Sequence, residues 1–90
     1  MDNLFDIKGK VALITGGSRG IGEMIAEGFV KQGVKTYISS RKKGQCDNTA
    51  MRLSKFGQCI SIPADLTQLN EIQNLFSAIN KNEKKLHILV

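Results

Sequence analysis

Gly16, Gly20 and Gly22, within Thr15-Gly16-Gly17-Ser18-Arg19-Gly20-Ile21-Gly22, are spaced for binding an anion. The stretch lies between the apolar run Val11-Ala12-Leu13-Ile14 and a helical pattern that begins near Gly20. A strand that stops at a glycine-rich turn and re-enters as a helix aims unpaired N-terminal amides at one point, where the helix dipole adds partial positive charge. Such a cradle holds phosphate. Gly16 permits the tight turn, Gly20 lets the backbone approach a pyrophosphate, and Gly22 lets the helix pack closely on the sheet, so that a side chain at any of them would obstruct something. Glycine turns between strand and helix also occur for topological reasons alone, so the rest of the chain decides what this one does.

Arg41, Lys42 and Lys43 follow a second apolar segment, and Asp65-Leu66 follows a third. Positive charge at the start of a helix is mildly unfavourable to its dipole, so the basic trio argues for a use rather than a solvated surface. The remaining lysines, among them Lys31, Lys35, Lys55, Lys81, Lys84 and Lys85, are scattered near element ends without interleaved aromatic residues, and the net charge of +5 therefore does not point to nucleic acid. Cys46 and Cys59 lack metal-ligand spacing and read as reduced, buried, small apolar residues. His87 reads as a strand-edge residue, and Tyr37, the only tyrosine, as a packing residue. The N-terminal Met1-Asp2-Asn3-Leu4-Phe5-Asp6 is acidic where a secretory signal would be basic, and no apolar run approaches spanning length, so a soluble, cytoplasmic protein is expected.

Two periodicities alternate between these residues. After a turn at Lys8-Gly9-Lys10, Val11–Thr15 is apolar on both faces, as buried parallel strands are. The helix after the glycine turn is expected to bury Ile21, Ile25, Gly28 and Phe29 and to close at Gly33. A strand over Val34–Ser39 follows, then a helix over Lys43–Lys55 that buries Cys46, Ala50 and Leu53 and ends at Gly57. Cys59–Ile62 forms a strand stopped by Pro63. Thr67 is expected to cap a helix that carries Leu69, Ile72, Leu75, Phe76 and Ile79, and Leu86–Val90 forms a fourth strand. Strands and helices alternating through short connections demand a parallel sheet covered by helices, here half of a doubly wound α/β fold (βαβαβαβ). Ninety residues allow one domain at most, and ligands of such sheets sit outside the strands' carboxyl ends at the topological switch point.

The glycine turn after the first strand, Ser40-Arg41 after the second and Ala64-Asp65-Leu66 after the third together resemble the short-chain dehydrogenase/reductase superfamily over essentially the whole chain. Lys8-Gly9-Lys10, Arg41-Lys42 followed by Cys46, and Ile62-Pro63-Ala64-Asp65-Leu66 further resemble its 3-oxoacyl-thioester reductases, including the rhamnolipid-pathway branch. The resemblance implies a Rossmann-like fold of which residues 1–90 are the dinucleotide-binding part, cut before the catalytic half. Members usually continue from the fourth strand into Asn-Asn-Ala-Gly and carry a serine and a Tyr-x-x-x-Lys pair further on, none of which is among these residues. No catalytic residue carries over, and residues 1–90 alone are expected to be inactive. The implied parent is an oxidoreductase acting on a carbonyl substrate, an acyl thioester in the finer match, and a homo-oligomer at full length, with neither nucleic acid nor membrane as partner. A dinucleotide-binding regulatory protein and an inactive remnant of a reductase are the other readings.

Carried over residue by residue, the family's binding roles place Gly16, Ser18, Arg19, Gly20, Ile21 and Gly22 around the pyrophosphate and adjoining ribose. Ser40 and Arg41 meet the adenosine ribose, and Asp65 with the Leu66 backbone meets adenine. An aspartate ending the second strand would accept from a ribose 2′-hydroxyl and repel a 2′-phosphate. Ser40 stands there instead, and Arg41 with Arg19 can hold a dianion through forked, charge-assisted hydrogen bonds, so NADP(H) is expected over NAD(H).

Overall fold

The computed structural model describes residues 8–16 and 20–90. Strand β1, Val11–Thr15, pairs in parallel with β2, Lys35–Ser39, in the register Val11 to Lys35 through Thr15 to Ser39. Strand β3, Cys59–Ser61, adds to the far side of β2, and β4, Ile88–Leu89, adds to the free side of β1, which makes the sheet order β3-β2-β1-β4. The chain runs outward from β1 to β3 and then returns beside β1. The order therefore reverses between β1 and β4, which places the switch point of the expected parallel α/β half-fold at the carboxyl end of β1.

Strand alternation sorts the core into two layers. Ile14 and Ile38 face helices α1, Gly20–Lys31, and α2, Lys43–Leu53, whose Ala26, Val30, Cys46 and Leu53 complete one cluster. Val11, Leu13 and Tyr37 face α3, Leu69–Asn82, through Leu75 and Ile79. Both cysteines are buried and unpaired, and burial, with the nearby Cys46 sulfur, pushes the Cys59 thiol up to about 11. Among the described residues no helix is long and apolar enough to cross a membrane.

Several details depart from the pattern read along the chain. The buried stripe of α1 is Ala26 and Val30, with Ile25 and Phe29 beside it; Ile21 is 76% exposed and Gly28 is exposed. Gly33 does close that helix, at φ +85 and with its amide donating to the Val30 carbonyl. Gly57 has another purpose: α2 stops at Leu53, and a Cβ at Gly57 would lie 2.8 Å from the Val30 carbonyl oxygen, so glycine lets this loop press against α1. Thr67 is not a cap. The residue before α3 is Gln68, which makes no side-chain cap bond, and Leu69 and Phe76 stay exposed while Leu75 and Ile79 are buried.

Candidate functional site

The turns after β1, β2 and β3 are tied to one another by backbone hydrogen bonds. The Gly16 amide donates to the Ser39 carbonyl at 2.7 Å, and the Ala64 amide donates to the Ser40 carbonyl at 3.0 Å. Gly16, Ser40-Arg41 and Asp65-Leu66 are thus assembled on one sheet edge, beside the opening turn of α1 that contains Gly20, Ile21 and Gly22. Ser18 and Arg19 lie outside the described residues.

Gly16 has φ +71 and Gly20 φ +64, dihedrals that a residue with a Cβ adopts at a cost. A Cβ at either position would meet no atom of the described residues within 4 Å. Backbone conformation, rather than crowding by the protein, therefore requires glycine at these two positions, and the space beside each is open to a ligand. Gly22 is half-buried in the first turn of α1. Glu23, the acid of that turn, is ion-paired by Arg52 of α2, which offsets a negative charge close to the cradle.

At the end of β2 the Ser39 and Ser40 hydroxyl oxygens are both buried without a hydrogen-bond partner among the described residues. Unsatisfied buried hydroxyls are uncommon in native folds, and Ser40 belongs to the set assigned to a nucleotide ribose. The basic trio divides. Lys43 pairs with Asp47 at 2.8 Å, and Asp47 also accepts from the Ser61 hydroxyl at 2.6 Å, so the lysine is held and the aspartate is kept below its ordinary carboxylate range. Arg41 and Lys42 are exposed and make no ion pair among the described residues. Lys42 precedes α2 in an extended conformation without a side-chain cap bond.

Asp65 is fixed before α3. Its Oδ1 accepts from the Thr67 hydroxyl at 2.7 Å and the Thr67 amide at 3.0 Å, while its own amide donates to Glu71 at 2.6 Å. The Thr67 hydroxyl chiefly, then the Thr67 amide and the positive charge of Arg41, hold the Asp65 carboxyl below its usual value. The residue expected to cap a helix instead orients this carboxylate. Leu66 is exposed and joins Leu13, Thr15, Ile72, Phe76 and Val90 around an apolar cavity of about 230 Å³ at the same end of the sheet. That cavity and the Ser39 hydroxyl were not foreseen, since neither has a local pattern.

Chemically, the arrangement offers the amides of a helix N-terminus, two exposed cations that make no ion pair among the described residues, and an ionised carboxylate acceptor. Neither the tyrosine nor the histidine of the described residues takes part in it. Tyr37 is buried under α3, its hydroxyl donating to Glu83 at 2.7 Å, and His87 accepts from the Val11 amide through Nδ1 at the opposite end of β1. No group of metal-ligating side chains occurs among the described residues.

The family model for short chain dehydrogenase matches residues 10–90. The Pseudomonas aeruginosa rhamnolipids biosynthesis 3-oxoacyl-[acyl-carrier-protein] reductase is 43% identical over 90 residues, all of this chain and 35% of that protein. Dehydrogenase/reductase SDR family member 1 of Mus musculus is 35% identical over 86 residues, 93% of this chain and 28% of its own length. Among solved structures, a Pseudomonas aeruginosa RhlG/NADP active-site complex superposes with a TM-score of 0.92 at 43% identity, over 99% of this chain and 36% of that one. Hydroxysteroid dehydrogenase from Escherichia coli also reaches 0.92, at 26% identity, over 99% of this chain and 38% of that one. The chain spans about a third of the length of the curated relatives it matches. With its fold, its glycine turn and the match from residue 10 to residue 90, the chain belongs to the short-chain dehydrogenase family.

Proposed function

We propose that residues 1–90 are the dinucleotide-binding part of a single reductase domain that takes NADPH and reduces the carbonyl of a 3-oxoacyl thioester to the 3-hydroxy form. The observation that carries the cofactor assignment is the end of β2, where Ser40 stands in place of an acid and where, among the described residues, its buried hydroxyl has no partner and Arg41 and Lys42 make no ion pair. A 2′-phosphate supplies the negative charge that those groups lack. Gly16, Gly20, Ile21 and Gly22, with Ser18 and Arg19, hold the pyrophosphate and its ribose; Ser40 and Arg41 hold the 2′-phosphate, and Asp65 with Leu66 orients adenine. The bound nicotinamide supplies a hydride. The work of these ninety residues is to place and orient its carrier.

Support for the thioester comes from the Pseudomonas aeruginosa reductase, whose name carries that substrate. The proton for the forming alkoxide must come from elsewhere, since Tyr37 and His87 are committed to structural hydrogen bonds. The protein containing this chain should oxidise NADPH in the presence of acetoacetyl or longer 3-oxoacyl thioesters. Turnover confined to sugars or steroids would refute the substrate, and NADPH binding without turnover of any carbonyl would favour a dinucleotide-binding regulatory protein.

A further inference from the structure

In a parallel sheet with helical crossovers, every strand begins and every helix ends at the same pole. Lysines scattered through the sequence are therefore gathered opposite the glycine turn. The Gly9 amide bonds to Gly33, the Lys35 amide to Lys10, the Thr36 amide to Gln58 and the His87 amide to Val11, so the starts of all four strands share this end. Lys31 and Lys55 lie 4.5 and 5.9 Å from the centre of one ring, Phe56, which is itself 43% exposed. Lys35 reaches across to Glu83, directly before Lys84 and Lys85.

Among the described residues the acids of this pole are already engaged: Glu83 by Lys35 and Tyr37, Glu27 by Lys31 and Arg52. Lys10, Lys55, Lys81, Lys84 and Lys85 are exposed and make no ion pair among the described residues. Compensation of helix dipoles accounts for Lys31 and Lys81, each in the last turn of its helix, but not for the lysines placed on turns and linkers. These cations are all ammonium groups, without the guanidinium forks that single out phosphates of a nucleic acid, and they are spread around the pole on both sides of the sheet rather than along a groove. Point charges distributed over an end face, with one exposed aromatic ring among them, match a surface of diffuse negative charge.

We propose that this lysine pole rests on anionic lipid headgroups, a peripheral contact that leaves the nucleotide end of the sheet facing away from the bilayer. It departs from the expectation that a membrane is no partner, which rested on the lack of a spanning segment; a surface contact needs none. Each lysine within range of an anionic leaflet contributes roughly fivefold in affinity, and salt screens the effect.

The test is sedimentation of the protein with phosphatidylcholine vesicles and with vesicles containing about one-third phosphatidylserine, at low and high salt. Lys84→Gln/Lys85→Gln is compared with Lys42→Gln/Lys43→Gln, which removes the same net charge from the opposite pole; circular dichroism checks that both remain folded. The expected result is binding to the anionic vesicles only, weakened by salt, and about 25-fold weaker in the Lys84/Lys85 variant but not in the other. Equal losses in both variants, binding indifferent to salt, or no binding to anionic vesicles would overturn the proposal. Tighter binding to soluble polyglutamate than to the anionic vesicles at equal charge concentration would also overturn it, in favour of an acidic protein as partner.

Discussion

Replacing Glu83 with alanine removes the acceptor of a buried phenol and the counter-ion of Lys35 in one step. The Tyr37 hydroxyl donates to Glu83 Oε2 at 2.7 Å, and Lys35 Nζ lies 2.5 Å from the same oxygen, with the glutamate side chain 11% exposed and the lysine 30%. A buried hydroxyl left without a partner costs about 1–3 kcal/mol. Lys35 can turn to water, so the lost ion pair adds only about 0.5 kcal/mol. The sum, about 1.5–3.5 kcal/mol, corresponds to a fall in Tm of roughly 6–28 °C for a chain of this size. Glu83→Gln, which can still accept from Tyr37, should lose about half as much. The pH dependence follows from the three shifts. The bonds from Lys35 and then Tyr37 lower the Glu83 carboxyl from 4.5, so its contribution is complete above that value and fades as pH falls through the lowered one. Burial first, and Glu83 second, raise Tyr37 from 10.0, while the bond to Glu83 raises Lys35 from 10.5, so their contributions are complete below those values and fade as pH rises beyond them. Thermal melts of the parent and Glu83→Ala from pH 3 to pH 11 should therefore differ most on a plateau between about pH 5 and 10. A difference under about 2 °C at pH 7, or one that stays constant down to pH 3, would refute the reasoning.

Gly57→Ala drives a Cβ toward the Val30 carbonyl oxygen and should destabilise the fold by about 1–3 kcal/mol in urea titration; an unchanged midpoint would mean that the loop does not press on α1. Asp65→Ala should weaken NADPH and NADH alike, by roughly tenfold in fluorescence titration, and an effect on only one of them would give Asp65 another role. The native protein should show almost no reaction with a thiol reagent at pH 8 and two reactive thiols in denaturant, since both cysteines are buried and Cys59 is pushed up to about 11; rapid native labelling would contradict that packing.

What could be read along the chain was whatever depends on neighbouring residues. Gly16 and Gly33 announce left-handed turns, and four apolar segments separated by helical spacing announce a parallel sheet, which the strand pairing bears out. The residues that gather at the strand ends were legible because topology alone takes the termini of consecutive parallel strands to one edge. Facing was less legible. In α1 two apolar stripes compete, Ile21-Ile25-Gly28 and Ala26-Val30, and it is the second that faces the sheet and is buried, with Ile25 at its margin. Gly57 looked like a helix terminator and is a contact with a helix 27 positions earlier, while Thr67 looked like a cap and is an Asp65 donor. Tyr37 and Glu83, 46 positions apart, have no local signature of their hydrogen bond. The lysine pole is hidden for the same reason, as its members become neighbours only after the crossovers are made.

The central claim is that the end of β2 selects for a 2′-phosphate. It is tested most directly by titrating NADPH and NADH against the parent protein and Arg41→Ala, following cofactor fluorescence. The account predicts tighter binding of NADPH by the parent, a roughly ten- to hundredfold loss for NADPH in the variant and little change for NADH. Equal losses for the two cofactors, or a parent that prefers NADH, would contradict it.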